Sequence, residues 1–261
     1  MAHPMRVLDL FSGIGGFALG LERAGMDTTA FCEIKPHSRA VLAKHWPGVP
    51  CYHDITTLTG DQLARDGLTF DVICGGFPCQ DISAAGRGEG IEGSRSGLWS
   101  HYARLIGEVR PRWVIIENSP MLRTRGADRV LGDLEREGYA CWPVVVGAVH
   151  AGAPHKRQRA FVLAHTDRDN GGSRRSGRLD PGSARQQESE RALQRSNPSR
   201  AGATQWSIEP AVGRMAHGVP SRVDRIAALG NAVVPQVVEA IGRAILTTER
   251  DVLNDHRNCR L

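Results

Sequence analysis

With 261 residues and a net charge of +5, the chain is long enough for one large α/β domain, and its charge is compatible with a polyanionic partner without requiring one. No apolar stretch approaches the ~20 residues of a membrane span, and the amino terminus has no apolar signal segment, so we expect a cytoplasmic protein without membrane contact. None of the six cysteines forms a Cys-x-x-Cys pair, which indicates neither a metal site nor a disulfide framework.

The first predicted elements form a nucleotide-binding unit, with a buried strand at 5–10, a glycine turn at 11–16 and a helix at 17–24. The glycines do not follow Gly-x-Gly-x-x-Gly, which argues against a dinucleotide. A second strand, 28–33, ends in Glu33 before a helix at 36–45. An acid at this place typically binds ribose hydroxyls, and a solvated acid is the alternative.

The next predicted strands are 49–52 and 71–74. After the first comes Asp54, which could cap a helix beginning near Thr57. The second leads into Gly75-Gly76-Phe77-Pro78-Cys79-Gln80, which places a thiol at the carboxyl end of a strand, where α/β enzymes bind ligands. Cys79 is therefore a candidate nucleophile, with an inert buried cysteine as the alternative. Residues 80–97 have the glycines and polar residues of a closing lid, in which Arg87 and Arg95 could contact phosphates.

The second half begins with a predicted helix at 98–109 and a strand at 113–118 that ends in Glu117 and Asn118. An acid that closes an apolar strand is expected to be partly buried, which raises its pKa, unless it faces water. A helix at 128–137 and strands at 140–147 and 158–164 follow. Arg157 and Arg159 alternate before the last strand and would share a face if extended, although a basic surface turn is the alternative.

Apolar periodicity disappears after residue 165. Residues 166–205 are too polar to offset the entropy of ordering, so we predict a short, flexible, basic segment that either binds phosphates or serves as a linker. Order is predicted to return at 206–248, with a helix from Pro235 to about Leu246 and a polar tail at 249–261. Residues 1–165 and 206–248 would together form the catalytic and cofactor-binding domain.

Five motifs, in chain order, resemble those of the cytosine-C5 DNA methyltransferases. They are the segments 9–16, 75–80, 117–119, 155–159 and 225–235, and the resemblance spans nearly all of the chain outside 166–205. Two positions depart from the pattern, because Ser119 replaces a valine and His155 replaces a glutamine. The region that corresponds to the family's target-recognition domain is unusually short.

The resemblance implies a doubly wound, mostly parallel α/β sheet of the Rossmann-like methyltransferase type with a reduced small subdomain, and S-adenosylmethionine as the cofactor. It places Glu33 at the ribose, Ile34 against the adenine face and Asp54 at the adenine amino group. The residues that would bind the cofactor are Phe11, Ser12, Gly13, Ile14, Gly15, Gly16, Glu33, Ile34, Asp54, Ile55, Gly76, Pro78, Leu98, Asn231 and Val233.

The same resemblance implies methyl transfer to C5 of a cytosine flipped out of double-stranded DNA. Cys79 would add to C6, Glu117 would act as a protonated acid at N3, and Arg157 would contact O2. The residue that removes the C5 proton is not identified, and water is a plausible base. The implied catalytic residues are Cys79, Gln80, Glu117, Asn118, Arg157 and Arg159.

Three other functions compete with this interpretation. A tRNA cytosine-C5 methyltransferase would use the same catalytic residues. A catalytically silent DNA-binding or accessory subunit would have lost the domain that recognises the target sequence. A nicotinamide-dependent oxidoreductase would leave the Pro-Cys-Gln and Glu-Asn segments unexplained. We expect a monomer that acts on double-stranded DNA with relaxed specificity in a phage or restriction-modification setting, and that associates with the nucleoid through DNA.

Overall fold

The computed structural model describes residues 3–78, 97–166 and 228–258, with side chains through residue 252. Its seven strands form one sheet in the order β3-β2-β1-β4-β5-β7-β6. Strands β1 to β5 pair in parallel, whereas β7 runs antiparallel to both β5 and β6. The strands are β1 (Arg6–Leu10), β2 (Asp27–Cys32), β3 (Cys51–Tyr52), β4 (Val72–Gly76), β5 (Trp113–Asn118), β6 (Ala140–Gly147) and β7 (Gln158–His165).

Helices cover both faces of this sheet, which confirms the predicted doubly wound α/β class. They are α1 (Gly16–Ala24), α2 (Pro36–His45), α3 (Gly60–Arg65), α4 (Leu98–Val109), α5 (Ala127–Arg136) and α6 (Pro235–Asn258). Short 3-10 helices follow β5 (Pro120–Thr124) and β6 (Ala148–Ala151). Helix α3 begins three residues after the helix start suggested near Thr57, and the two 3-10 helices were not predicted from the sequence.

The alternation of side chains along each strand builds two apolar layers. Leu8 and Ile73 point to the face covered by α4 and α5, where Trp99 and Tyr102 are fully buried. Val7 and Val72 point to the opposite face and pack with residues of α1 and α6. Helix α6 therefore completes a core begun more than two hundred residues earlier in the chain.

The register of the parallel strands aligns their carboxyl ends along one edge of the sheet. Leu10 pairs with Cys32 on one side and with Gly75 on the other, and Gly76 pairs with Glu117. The glycine turn, Glu33, the segment before Cys79 and Glu117 consequently lie along the same edge. This is the edge at which open α/β sheets bind ligands.

The predicted end of the last helix was wrong. The polar composition after residue 248 suggested a tail, whereas α6 continues to Asn258. The reason is Glu249, whose Oε1 accepts a hydrogen bond from Trp113 Nε1 at 2.7 Å and whose Oε2 lies 2.5 Å from Arg112 Nη1. A polar residue thus attaches the helix to the sheet, and composition alone does not show this.

Other predicted features lie outside the described residues. These are Cys79, Gln80, the proposed lid with Arg87 and Arg95, and the basic segment 166–205. Within the described ranges, no helix combines the length and apolar character needed to cross a membrane. The same ranges contain no group of three or more His, Cys, Asp or Glu side chains arranged to hold a metal ion.

We predict that Glu249→Ala lowers the free energy of unfolding by about 1–3 kcal/mol, because the buried Trp113 N–H loses its acceptor. Thermal unfolding monitored by circular dichroism measures the effect. Glu249→Gln keeps a carbonyl oxygen for Trp113 and should lose less. Equal stability of the Ala variant and the wild type would show that Glu249 does not attach α6 to the sheet.

Candidate active site

The turn after β1 has a backbone that requires glycine at two positions. Gly13 and Gly15 have φ angles of 56° and 84°, in the left-handed region that glycine adopts without strain. A side chain on Gly15 would also collide with the ring of Trp46, which packs behind the turn. Ser12 closes the turn by donating from Oγ to the Asp9 carbonyl at 2.6 Å.

Glu33 is buried beside this turn, and both of its carboxylate oxygens accept hydrogen bonds from backbone amides. Oε2 accepts from Gly13 N and Oε1 from Lys35 N, each at 2.7 Å. These bonds hold the carboxylate in a fixed orientation, and each oxygen keeps a lone pair for another donor. The neighbouring Ile34 is 62% exposed, which is unusual for a large apolar side chain beside a buried acid.

The segment after β3 contributes Asp54 and Ile55. The Asp54 carboxylate accepts a hydrogen bond from Thr56 N at 2.9 Å, and this bond holds the pKa of Asp54 below its usual value. Helix α3 begins at Gly60 with Thr59 as its cap, so Asp54 caps a turn and not the predicted helix near Thr57. Ile55 is buried.

These residues fit the cofactor that the sequence predicts. The space over Gly13 is open, since an added Cβ would meet nothing closer than a backbone oxygen at 4.0 Å. The oriented Glu33 carboxylate suits hydroxyl donors, and exposed Ile34 offers an apolar surface for a flat ring. Leu98 is partly buried against the core, and Phe11 adopts a left-handed backbone with φ 52°.

The carboxyl-terminal segment returns to the glycine turn. Val233 is buried, and a Cβ on Gly16 would come within 2.9 Å of its Cγ1. Asn231 is exposed two residues earlier. The two predicted carboxyl-terminal cofactor residues therefore lie on the segment that packs against the start of α1.

Glu117 at the end of β5 is buried, as the sequence predicted. Its Oε1 lies 2.9 Å from Arg159 Nε, and only 12% of its side chain is exposed. Burial raises the pKa of Glu117 to about 7, although the charges of Arg159 and Arg157 act in the opposite direction. The carboxyl group can therefore exist in both protonation states near neutral pH, as a general acid requires.

The two glycines at the end of β4 leave space for neighbouring groups of the protein. The assignment of Gly76 to the cofactor stays a prediction. A Cβ on Gly76 would lie 2.5 Å from Glu117 Oε2, and one on Gly75 would collide with the Leu10 carbonyl oxygen. Both glycines thus make room for groups of the protein itself.

Asn118 fixes the backbone just before Cys79. Its Nδ2 donates to the Phe77 carbonyl at 3.2 Å, and its Oδ1 accepts from Ser119 N at 2.8 Å. Both ends of this buried amide are therefore engaged with the backbone. The half-buried Pro78 follows Phe77, and the adjacent Cys79 lies beyond the described residues.

Arg157 and Arg159 make their polar contacts with different groups, although the charges of both act on Glu117. Strand β7 begins at Gln158, and Arg157 has a φ of 28°, so Arg157 is not extended. Arg159 pairs with Glu117, whereas Arg157 Nη2 donates to the carbonyls of Gly230 and Ala232 at 2.7 and 2.6 Å. Burial and the Arg159 charge lower the pKa of Arg157.

Two residues around the glycine turn were missed from the sequence. Trp46, predicted only as part of a helix end, buttresses Gly15 and donates from Nε1 to Glu22 at 2.6 Å. Asp9 is fully buried in β1, and neither carboxylate oxygen has a hydrogen-bond partner in the described structure. Burial raises the pKa of Asp9 well above its usual value. An acid inside an apolar strand is a signal that the sequence does contain.

Comparison with known proteins settles the family. The model of the C-5 cytosine-specific DNA methylases matches residues 5–210. The chain belongs to this family. Its members and the matching methyltransferase structures depend on S-adenosylmethionine, in agreement with the predicted cofactor.

Individual relatives agree with this assignment. The type II methyltransferase M2.BsuMI of Bacillus subtilis is 40% identical over 168 residues, which cover 61% of this chain and 42% of that protein. A structure titled as a putative DNA modification methyltransferase of an Escherichia coli prophage is 30% identical, with a TM-score of 0.53 over 62% of this chain and 46% of that one. The chain thus spans less than half the length of either relative.

One further structure matches over nearly the whole chain. The Entamoeba histolytica methyltransferase EhMeth has a TM-score of 0.65, with 95% of this chain and 99% of that chain covered. Its sequence is only 14% identical, so this likeness shows the fold alone.

The raised pKa of Glu117 makes a prediction about stability. The folded protein holds its proton up to about pH 7, whereas the unfolded chain releases it near the usual value of 4.5. The stability due to this proton is therefore fully present below about pH 4.5 and is lost as pH rises through 7. Relative to Glu117→Gln, the wild type should lose stability between those pH values and then level off.

Urea unfolding at a series of pH values measures this difference. Glu137→Gln, which alters an exposed acid paired with Arg110, serves as the control and should track the wild type above pH 5. A constant difference between the wild type and Glu117→Gln across the range would contradict the raised pKa.

Proposed function

We propose that the chain carries the catalytic domain of a DNA cytosine-5-methyltransferase. The observation that carries the proposal is the buried Glu117, whose pKa of about 7 suits proton donation, at the same sheet edge as the open glycine turn. Gly76 and Asn118 bring the segment that leads to Cys79 against this acid. The family match supplies the reaction class.

The proposed reaction begins at C6 of the cytosine. The Cys79 thiolate forms a bond to C6, and the displaced electron pair makes C5 nucleophilic as N3 takes a proton from Glu117. S-adenosylmethionine supplies the electrophilic methyl group for C5. Removal of the C5 proton, with water as the candidate base, then lets the sulfur leave C6 with its bonding electrons. N3 returns its proton to Glu117, which restores the neutral aromatic ring and the acid.

The arginine closest to this chemistry is Arg159, and the observed contacts favour it over the predicted Arg157 for the role at cytosine O2. Arg159 is already within 2.9 Å of Glu117, so a base that reaches the acid also comes near its guanidinium. Arg157 Nη2 donates to two backbone carbonyls, so this end of its guanidinium is directed at the carboxyl-terminal segment. A cation near Cys79 would also favour the thiolate.

The cofactor's place follows from the glycine turn. Its methionine part would lie over Gly13 and its ribose would donate to Glu33, with the adenine ring on Ile34 between Asp54 and Ile55. The Ser12 hydrogen bond and the packing of Trp46 against Gly15 fix the conformation of this turn. This arrangement directs the donor towards β4 and β5, which carry the residues that would hold the base.

Charges at the two edges of the sheet support a polyanionic substrate. At the amino edge the arginines are paired with acids, as in the Arg6–Asp71, Arg110–Glu137 and Arg112–Glu249 pairs. At the carboxyl edge, residues 119–127 and 148–157 contain no acidic residue at all. Positive groups without acidic neighbours beside a site suit phosphate contacts.

Three cations of this edge form what we call the cationic rim: Arg123, Arg125 and Lys156. Arg123 and Lys156 are exposed, Arg125 is half-exposed, and none forms an ion pair with a carboxylate of the described residues. The 3-10 helix that contains Arg123 packs against β7, the strand whose Arg159 lies beside Glu117, and Arg125 follows directly. We propose that the cationic rim contacts the DNA backbone without reading sequence.

A double variant Arg123→Gln/Arg125→Gln should therefore weaken duplex binding and reduce the salt dependence. The slope of log K against log salt should fall by about one per lost phosphate contact. Fluorescence anisotropy of a labelled duplex at several salt concentrations measures it. Arg6→Gln, at the opposite edge, is the control, and an unchanged slope in the double variant would remove the rim from the interface.

The activity itself is tested by bisulfite sequencing of DNA from cells that express the chain. We expect new 5-methylcytosine in a short or relaxed sequence context, and none with Cys79→Ser. Glu117→Gln should slow transfer by about 10²-fold or more in single turnovers with radiolabelled cofactor. Methylation by Cys79→Ser would exclude the covalent route, and methylation of tRNA alone would favour the RNA enzyme.

The remaining expectations concern the state of the protein in the cell. We propose a monomer in the cytoplasm that associates with the nucleoid through DNA. The short region after residue 165 leads us to expect relaxed specificity or a reader supplied by another chain, because sequence readout needs side chains held against base edges. A long, strictly defined site in the bisulfite data would contradict relaxed specificity.

A further inference from the structure

Arg157 makes contacts that the proposed reaction does not use. Its Nη2 donates to two carbonyl oxygens, those of Gly230 at 2.7 Å and Ala232 at 2.6 Å. The side chain is half-buried and its hydrogen bonds go to backbone oxygens, while the Glu117 carboxylate also acts on its charge. Hydrogen bonds from a charged donor to such carbonyls are stronger than neutral ones, so this contact fixes the position of the segment 230–232.

The segment that Arg157 holds includes Asn231 and leads into Val233, the two carboxyl-terminal residues predicted to line the cofactor site. Val233 follows directly and packs against Gly16, the first residue of α1. Pro235 then begins α6, whose first turn lies against Gly20, where an added Cβ would meet the Pro235 carbonyl oxygen at 2.6 Å. A displacement of residues 230–232 would therefore move the packing partner of the glycine turn.

The backbone of Arg157 is held in an uncommon conformation. Its φ of 28° is unusual for a residue with a side chain, because steric contacts of the Cβ disfavour positive φ. Neighbouring Lys156 and Gln158 belong to a turn and a strand whose hydrogen bonds to Ala148 and Gly147 hold the backbone there. From this backbone position the guanidinium reaches the carbonyl oxygens of Gly230 and Ala232 in the carboxyl-terminal segment.

We propose that Arg157 is a positioning residue for the cofactor site, and not a group that contacts the base. It keeps residues 230–233 against α1, so that the glycine turn presents the shape that binds the donor. This proposal rests on the proposed function, because it assigns a role within that cofactor site. Arg157 and Arg159 would then act on different substrates. Arg159 would contact the base, and Arg157 would hold the segment against which the methyl donor binds.

The proposal is tested by comparing the same substitution at the two arginines. Binding of S-adenosylhomocysteine to the full chain is measured by isothermal titration calorimetry, without DNA and without turnover. Arg157→Lys keeps the charge but not the planar fork, and should weaken binding about tenfold or more. Arg157→Gln should do the same. Arg159→Lys should leave the affinity within about twofold of the wild type.

A kinetic measurement distinguishes a positioning role of Arg157 from a general loss of activity or stability. The methylation rate of Arg157→Lys should recover as S-adenosylmethionine is raised, which is an effect on KM for the donor. The methylation rate of Arg159→Lys should stay low even at saturating S-adenosylmethionine. Arg112→Lys, which alters the attachment at the far end of α6, controls for loosening of the helix and should lower the melting temperature without changing S-adenosylhomocysteine affinity.

The outcomes distinguish the two proposals. Wild-type affinity in both Arg157 variants would overturn the positioning role, as would an equal loss of affinity in Arg112→Lys or Arg159→Lys. Failure of the wild-type chain to bind S-adenosylhomocysteine would instead contradict the proposed function. A selective loss in the Arg157 variants, with a raised KM for the donor, would support the assignment.

Discussion

Glu117 is the buried acid around which the neighbouring strands are arranged. Two glycines end β4, and the second leaves space for the carboxyl group, while Arg159 supplies a positive charge at 2.9 Å. Burial and this charge act on the pKa in opposite directions, and burial prevails, which gives a value of about 7. A larger residue at Gly76 would displace the carboxyl group, so the glycine and the acid are required together.

Much of the fold could be predicted because the strands are short apolar runs bounded by glycine, proline and polar residues. Pro36–His45, Leu98–Val109 and Trp113–Asn118 agree with the predicted bounds. The burial of Glu117 and the direction of its pKa shift were likewise predicted correctly from its place at a strand end. Element bounds and the burial of a residue at a strand end depend on neighbouring residues, so they can be predicted from the local sequence.

The features that could not be predicted depend on contacts between distant segments. Glu33 bonds to the amide of Gly13 because β1 and β2 pair in a particular register, and Glu249 extends α6 because Trp113 lies opposite. Arg157 departs from simple alternation because its backbone leaves the extended region before β7 begins. In each case the side chain is visible in the sequence, but its partner is set by the assembled sheet.

The path of α6 has a consequence for how the protein is made. The helix begins beside the glycine turn, packs with α1 over Val7 and Val72, and is attached at the opposite edge through Glu249. A ribosome completes all seven strands before it reaches Pro235. During that interval α1 is the helix that covers Val7 and Val72, so part of this apolar face stays open to self-association until α6 packs against it.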